Sequence, residues 1–537
     1  MKSFPVNKIN SKEFRLCLIN VVDRSYLDEA PLNLLYLADY LVKNKILSRK
    51  QIRIIDLDFE DPVKIVEKFE PNLIGFSVIT AFYSLAADIA NKIKEKYPVT
   101  TIIGGYHISS LPEKLKQPFD IGVLGEGEAT LAELVSVFKK NKTSVSDAKL
   151  EKIPGITFIN KLGKIVKTQI RLAIDTKKAD ALDWSLLHAE KIFQNQVFLV
   201  DGKPQVFKTV RIYSARGCPY NCAFCAHRVV WTGVRYFSAK KVVDEIEALY
   251  KDYGVQSFQI MDDTFAISKP RARDLIRELK ERNLLGKVFF SHLFIRANLI
   301  DEEFVQILKE FGAISVFIGI EFGSARLLKR YKDGQLTNEQ VKNSTKLFGK
   351  YNIFVFGSFM LFAPTETKEE TEETYQLAKW FANQKNALSL GYSVTTPYPG
   401  TKLWTEAVDM GILDTDKLVW DDFLMFDLSS GDRDMTKIFF YNDYSDRDTE
   451  KIWAKFAKLS NHVQQKWESI PGWTESLIEA DRQNQKLRAA LALKQRAHDL
   501  FVFPKYYLRQ ILTKPEKITS YFYYFIKDLQ RFNKKHK

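Results

Sequence analysis

Short apolar runs alternate with amphipathic stretches over the first 140 residues. FRLCLINVV, QIRIIDLD, LIGFSVI, VTTIIGG and IGVLGEG are rich in Val and Ile and apolar at most positions, the pattern of strands buried on both faces. Between them, LNLLYLADYLVKN and SLAADIANKIKEKY repeat apolar residues at helical spacing. This alternation predicts a parallel α/β sheet, and five such units predict one Rossmann-like, flavodoxin-like domain over residues 1–145. Residues 146–207 are turn-rich and carry a hairpin signal, GITFINKLGKIVKT; they read as a linker between domains. From RIYSARGCPYN the alternation resumes. QSFQIMDD, KVFFSHLFI, ISVFIGIEFGS, IFVFGSFMLF and ALSLGYSVTTP read as strands separated by amphipathic helices. Six βα units predict a partial (β/α)6 barrel over 208–410. The strand signals then fade, and 411–537 reads as a mainly helical, aromatic region.

Composition adds charge to this picture. The net charge is +14, and from Lys451 to Lys537 there are 18 Lys and Arg against 7 Asp and Glu. The excess therefore sits in a C-terminal appendage and not in the main body of the chain. Its end, FVFPKYYLRQILTKPEKITSYFYYFIKDLQRFNKKHK, interleaves aromatic and basic residues. Three readings stay open. It is a helix pair packed on the barrel with a solvated basic face, or an interfacial helix on an anionic membrane surface. Nucleic acid ranks last, because no RNA-binding module accompanies the tail. No apolar run reaches the roughly 20 residues of a membrane span, and MKSFPVNKINSKEF has no secretory h-region. The expected location is the cytoplasm, with the tail as a peripheral contact at the inner face of the membrane.

Cysteine usage supplies the chemistry. Three of the four cysteines, Cys218, Cys222 and Cys225, lie in ARGCPYNCAFCAHR with the spacing C-x3-C-x2-C; Cys17 stands alone in an apolar run. A disulfide framework would spread its cysteines along the chain. A structural zinc site wants four ligands, usually in separated pairs, and His227 is too near Cys225 in the chain to complete a relaxed tetrahedron. Three thiolates on one short loop instead suit a 4Fe–4S cube with one iron left open for a ligand.

The cysteine spacing, with Phe224 before the last cysteine, resembles the signature of the radical S-adenosylmethionine (SAM) superfamily. The resemblance runs over the whole barrel. FQIMDDTF resembles the second-strand element and implies that Asp262 and Asp263 lie near the methionine end of SAM. VFIGIEFGS resembles the fourth, with Gly323 at its end and Glu321 on the ribose hydroxyls. FGSFMLFAPTETKEET and TTPYPGT resemble the fifth and sixth, and Arg296 and Lys332 match further common positions. Read without the family, Asp262 and Asp263 are also good helix N-caps, Glu321 could be a surface carboxylate, and His292 reads as a strand residue facing the barrel. The implied reaction is one-electron cleavage of SAM to a 5′-deoxyadenosyl radical, with an electron donor such as ferredoxin or flavodoxin as partner.

The N-terminal domain has glycines where its strands end: Gly104 and Gly105, then Gly125 and Gly127. They let a bulky ligand approach the backbone, though tight βα turns need them too. APLNLLYLADYL at Pro31, PNLIGFSVIT with Ser77 and Thr80, GGYHIS with His107 and Ser109, and GEGE with Glu126 and Glu128 together resemble the cobalamin-binding (B12-binding) domain of one radical SAM subclass. The resemblance implies a corrin between this domain and the barrel. It departs from methionine-synthase-type domains, whose cobalt ligand lies in an Asp-x-His-x-x-Gly motif; none is present, so His107 is not expected on cobalt. With only Cys17 spare, neither the extra cysteines of methylthiotransferases nor an auxiliary cluster can be accommodated. The function implied is cobalamin-dependent methyl transfer to an unactivated carbon of a small or lipid-like metabolite. A cyclase or oxidase without methyl transfer, and a non-catalytic corrinoid or cluster sensor, are the alternatives.

Overall fold

The computed structural model describes residues 4–5, 13–21, 31–57, 60–141, 144–187, 192–200, 202–265, 267–333, 336–423, 439–440 and 444–484. The basic tail from Phe501 onward lies outside them.

The five predicted N-terminal strands form at Leu16–Asn20, Ile52–Asp56, Leu73–Ser77, Thr100–Gly104 and Ile121–Val123. Numbered along the chain, they are ordered 2-1-3-4-5 and all run parallel. This is the flavodoxin-like order, whose ligand crevice lies where the order reverses, at the strands' C-terminal ends. Side chains alternate between two cores, as a period of two requires. Leu16, Leu18 and Leu73 pack with Leu34, Leu41 and Leu134 on one face. Cys17, Ile19 and Ile74 pack with Val66, Ile89 and Ile93 on the other. Cys17 is a fully buried strand residue.

The hairpin expected in the linker belongs to this domain. Ile156–Ile159 pairs antiparallel with Ile121–Val123, and Ile165–Lys167 pairs with Ile156–Ile159. The sheet thus has seven strands. The hairpin covers an edge strand that would otherwise present unpaired backbone groups. The first barrel strand also starts before residue 208: Lys203–Ile212 pairs antiparallel with Gln194–Val200 and parallel with Ser257–Ile260.

The barrel strands continue through Phe289–Ser291 and Leu293–Ile295 to Ser315–Glu321, Phe354–Leu361 and Ala387–Val394, all parallel. The predicted strand KVFFSHLFI is bent at His292, whose φ of 57° is left-handed. Its first half pairs with Ser257–Gln259 and its second with Val316–Ile318. The sheet therefore curves as an open barrel. Helix Asp446–Glu468 begins with a capping box, in which Ser445 and Asp448 satisfy each other's backbone groups. It buries Trp453, Phe456, Val463 and Trp467 in the barrel core, and the Trp467 indole donates to the Ala387 carbonyl at 3.0 Å. No described helix is long and apolar enough to cross a membrane.

Candidate active site

The cysteine loop hangs from a short antiparallel ladder, Ala215–Arg216 against Arg235–Tyr236. Gly217 opens it with φ 81°, and a Cβ there would stand 1.9 Å from the Gly233 carbonyl oxygen. Only glycine allows the two ends of the loop to approach so closely. Asp262, at the end of the neighbouring strand, fixes the loop's entry: its carboxylate accepts from the Ser214 and Ala215 amides at 2.7 and 2.8 Å. It also accepts from the Ser214 hydroxyl. Asp262 is fully buried, and burial raises its pKa to about 6 against those hydrogen bonds. Asp262 is no helix N-cap, since Ser268 takes that position in the following helix; it anchors the loop.

The loop's sulfurs have polar neighbours. The Thr264 hydroxyl lies 3.3 Å from Cys218 Sγ. Arg296 Nη1 donates to Cys222 Sγ at 3.5 Å and its Nη2 to the Lys332 carbonyl at 2.5 Å, while its guanidinium stacks 3.9 Å over Tyr220. His227 Nδ1 is 3.3 Å from Cys225 Sγ and its Nε2 3.1 Å from the Cys218 carbonyl. The histidine thus braces the loop. Among the described residues, no three His, Cys, Asp or Glu side chains converge as a single metal ion requires. A cube takes one thiolate at each of three irons, and the three cysteines share one short loop.

Asp263 faces the same sulfurs. Burial and then its neighbour Asp262 raise its pKa to about 7; the Gly217 amide donates to it. Its second oxygen is buried and has no hydrogen-bond partner among the described residues. A buried unmatched acceptor beside three thiols is what a cofactor's donor group would satisfy. Glu321 is buried with φ 65° and pairs with Lys332 Nζ at 2.6 Å; that amine also donates to the Gly319 carbonyl at 3.0 Å. Phe224 packs beneath the same amine, 5.8 Å away. Gly323 serves packing: its amide donates to Thr374 Oγ1 at 2.9 Å, and a Cβ would strike the Glu373 carbonyl.

Facing this loop is a cleft of about 290 Å³ at the C-terminal edge of the N-terminal sheet. Ser77, Gly104, Gly105, Gly125, Glu126, Gly127 and Glu128 line it from one side; Arg211, Tyr213, Arg216, Trp231 and Met261 line it from the barrel. The glycine-edged rim leaves backbone accessible to a flat ligand, as a corrin requires. Three residues expected there lie elsewhere. His107 is buried between Tyr83 and Trp420, at centroid distances of 4.3 and 4.7 Å, and its Nδ1 is 3.4 Å from Thr80 Oγ1. Ser109 Oγ accepts from the Gly125 amide at 3.0 Å. Thr80, His107 and Ser109 shape the turns behind the cleft and do not line it.

The two sides are joined by a charge network that sequence reading missed. Arg216 pairs with Glu126 at 3.1 Å and with Glu128 at 2.5 Å, and Arg235 pairs with Glu126. Arg216 also stacks 4.9 Å over Tyr36, a residue of helix Leu32–Lys43. The partners lie about 90 positions apart in the chain; the only local hint was an arginine directly before Gly-Cys.

Comparison with known proteins agrees with this geometry. The radical SAM superfamily model matches residues 212–378, and the B12 binding domain model matches residues 20–135. An uncharacterized methyltransferase of Pyrococcus horikoshii is 32% identical over 402 residues, covering 71% of this chain and 79% of that protein. This chain belongs to the radical SAM superfamily. It is of the kind with an N-terminal B12-binding domain, whose cofactors are a 4Fe–4S cluster, SAM and cobalamin. The anaerobic magnesium-protoporphyrin IX monomethyl ester cyclase of Rubrivivax gelatinosus is 28% identical over 359 residues, covering 66% of this chain and 61% of that protein. Among solved structures, the radical SAM methyltransferase TsrM of Kitasatospora setae, with cobalamin and a 4Fe–4S cluster bound, matches with a TM-score of 0.59. It is 21% identical and covers 74% of this chain and 75% of its own; the likeness is one of fold.

Proposed function

We propose that this enzyme transfers a methyl group to an unactivated carbon of a small-molecule substrate. Cys218, Cys222 and Cys225 would each hold one iron of the cluster, leaving the fourth iron for SAM. When bound, the cofactors supply a 5′-deoxyadenosyl radical and a methyl donor. The chain's own work is placement. Asp263 offers its unmatched oxygen to a donor group of SAM, and Glu321, held by Lys332, stands where ribose hydroxyls would be met. Thr264 and Arg296 direct positive or neutral donors at the thiolates and stabilise their charge.

The observation that carries this reading is a cleft lined on one side by the glycine-edged rim of the N-terminal sheet and on the other by Arg216, Val230 and Trp231, which flank the cysteine loop, with Arg216 paired across it to Glu126 and Glu128. Relatives include both methyltransferases and cyclases. Anaerobic reconstitution followed by product mass spectrometry separates the two: methyl transfer adds one CH2, whereas cyclisation or oxidation removes hydrogens. Purified enzyme that retains no corrinoid would remove the methyl-transfer reading.

A further inference from the structure

The barrel lumen contains a layer that neither the cysteine loop nor the corrin cleft uses. Along strands Ser315–Glu321 and Phe354–Leu361, Val316, Ile318, Ile320, Val355 and Phe359 face the helices and are fully buried. Phe317 and Phe356 occupy the alternate face and remain half-buried, as does Phe294 on the adjoining strand. These three are register partners, Phe294 opposite Phe317 and Phe317 opposite Phe356. The same face carries the cofactor-side residues, because a Cβ on Gly319 would meet the Glu321 carboxylate and the Lys332 amine. The phenylalanines therefore line the lumen one layer below Glu321 and Lys332. Beneath them, Phe198, Phe207 and Ile314, packed with Phe289 and Phe354, close the barrel's N-terminal end.

His292 stands in this layer. Its ring centroid lies 4.2 Å from Phe356, 5.4 Å from Phe317 and 5.8 Å from Phe294. The bend that places it there is held by its amide, which donates to Ser315 Oγ at 3.0 Å. Neither ring nitrogen has a hydrogen-bond partner among the described residues. Burial, and then the charge of Arg211, lowers its pKa to about 4. The ring is thus neutral at pH 7 and offers one donor and one acceptor. His292 is only half-buried, so its ring nitrogens are open to a polar group that enters the lumen among the three phenyl rings. On the neighbouring strands Arg211, which also lines the corrin cleft, donates its Nε–H to Gln259 Oε1 at 3.0 Å, so the lumen wall next to this layer is polar.

We propose that this layer is the substrate seat, and that the substrate is a flat unsaturated ring system bearing an N–H or O–H group directed at His292. Three phenyl faces favour stacking and edge contacts with such a ring over a flexible aliphatic chain. The inference deepens the methyl-transfer reading, because the seat lies directly under the residues assigned to SAM.

The test uses full-length reconstituted enzyme with SAM and calorimetric titration of three probes: indole, 1-methylindole and 1-hexanol. Wild type should bind indole roughly five- to tenfold tighter than 1-methylindole, the size of one neutral hydrogen bond, and tighter than hexanol. In His292→Asn, which tolerates the left-handed backbone but is too short to reach, the preference for indole should vanish. His292→Gln should restore part of it. Phe356→Leu should weaken both indoles. Undiminished preference in His292→Asn, hexanol binding as tightly as indole, or no indole binding to wild type would overturn the proposal. Formation of 5′-deoxyadenosine in the same preparations reports separately on the radical reading. Cleavage without probe binding removes the seat alone; probe discrimination without cleavage removes the radical reading alone.

Discussion

The four thiols sit in two settings, and the difference predicts their behaviour. Cys17 is fully buried in a strand, and burial holds its thiol protonated. Cys17→Ala should leave iron content and SAM cleavage intact and cost on the order of 1 kcal/mol of stability, about one buried methylene-sized group. Replacing Cys218, Cys222 or Cys225 with Ala should abolish SAM cleavage; equal iron loss in Cys17→Ala would refute the one-cluster assignment. The Glu321–Lys332 pair is buried and hydrogen-bonded. Lys332→Met should therefore destabilise the barrel by about 3 kcal/mol, read in urea unfolding, because a buried carboxylate loses its partner. His107 gives a pH signature. Burial lowers its pKa to about 3, from an ordinary value of 6.5. Its stability contribution is present above pH 6.5 and is lost as pH falls toward 3, because only the unfolded chain takes up the proton there. His107→Phe should remove a slope of about 1.4 kcal/mol per pH unit from that window. At the residue scale the sequence shows what is local: three cysteines on one short loop stand out without any knowledge of the fold. It was less complete for Thr80, His107 and Ser109, whose role depends on Tyr83, Trp420 and Gly125, contacts that only folding brings together.

At the scale of elements, the sequence showed the buried parallel strands plainly, because an apolar run of Val and Ile has few other uses. It did not show that GITFINKLGKIVKT extends the N-terminal sheet. A hairpin is a local signal, whereas the edge it covers belongs to Ile121–Val123. Nor did it show the bend at His292, since the apolar pattern continues through KVFFSHLFI and only φ changes sign. The fading strand signals after residue 410 did predict helix, and Asp446–Glu468 is amphipathic, with its tryptophans on the barrel side. The cysteine loop is the element most open to a sharp test. Gly217 needs both a left-handed φ and the absence of a Cβ against Gly233. Gly217→Ala should prevent loop closure and lower iron incorporation severalfold. The N-terminal sheet, whose cores do not involve the loop, should retain its circular dichroism. Full iron loading in this variant would show that the loop closes by another route.

For the whole molecule, the junction between the two domains matters most. Arg216 and Arg235 tie Glu126 and Glu128 of the N-terminal domain to the two-stranded ladder from which the cysteine loop hangs. Both Arg216–Glu ion pairs are buried, so Arg216→Ala should cost about 3–5 kcal/mol, chiefly by leaving the Glu128 carboxylate without its arginine. It should also split one thermal transition into two as the domains uncouple. A single unshifted transition would show that the junction rests on apolar contacts such as Tyr36 on Phe237. The basic tail remains a sequence expectation: liposome flotation that is strong on anionic vesicles at low salt and lost at high salt is the outcome a membrane-facing tail requires. The central claim is that the three-cysteine loop makes this molecule cleave SAM reductively. The most direct measurement is 5′-deoxyadenosine formation by anaerobically reconstituted, dithionite-reduced enzyme, beside the Cys222→Ala variant. The account predicts 5′-deoxyadenosine from the wild type, formed with about four irons and four sulfides per chain, and none from the variant. Wild-type enzyme that holds a complete cluster and SAM yet forms no 5′-deoxyadenosine, or a variant that forms as much as wild type, would contradict it.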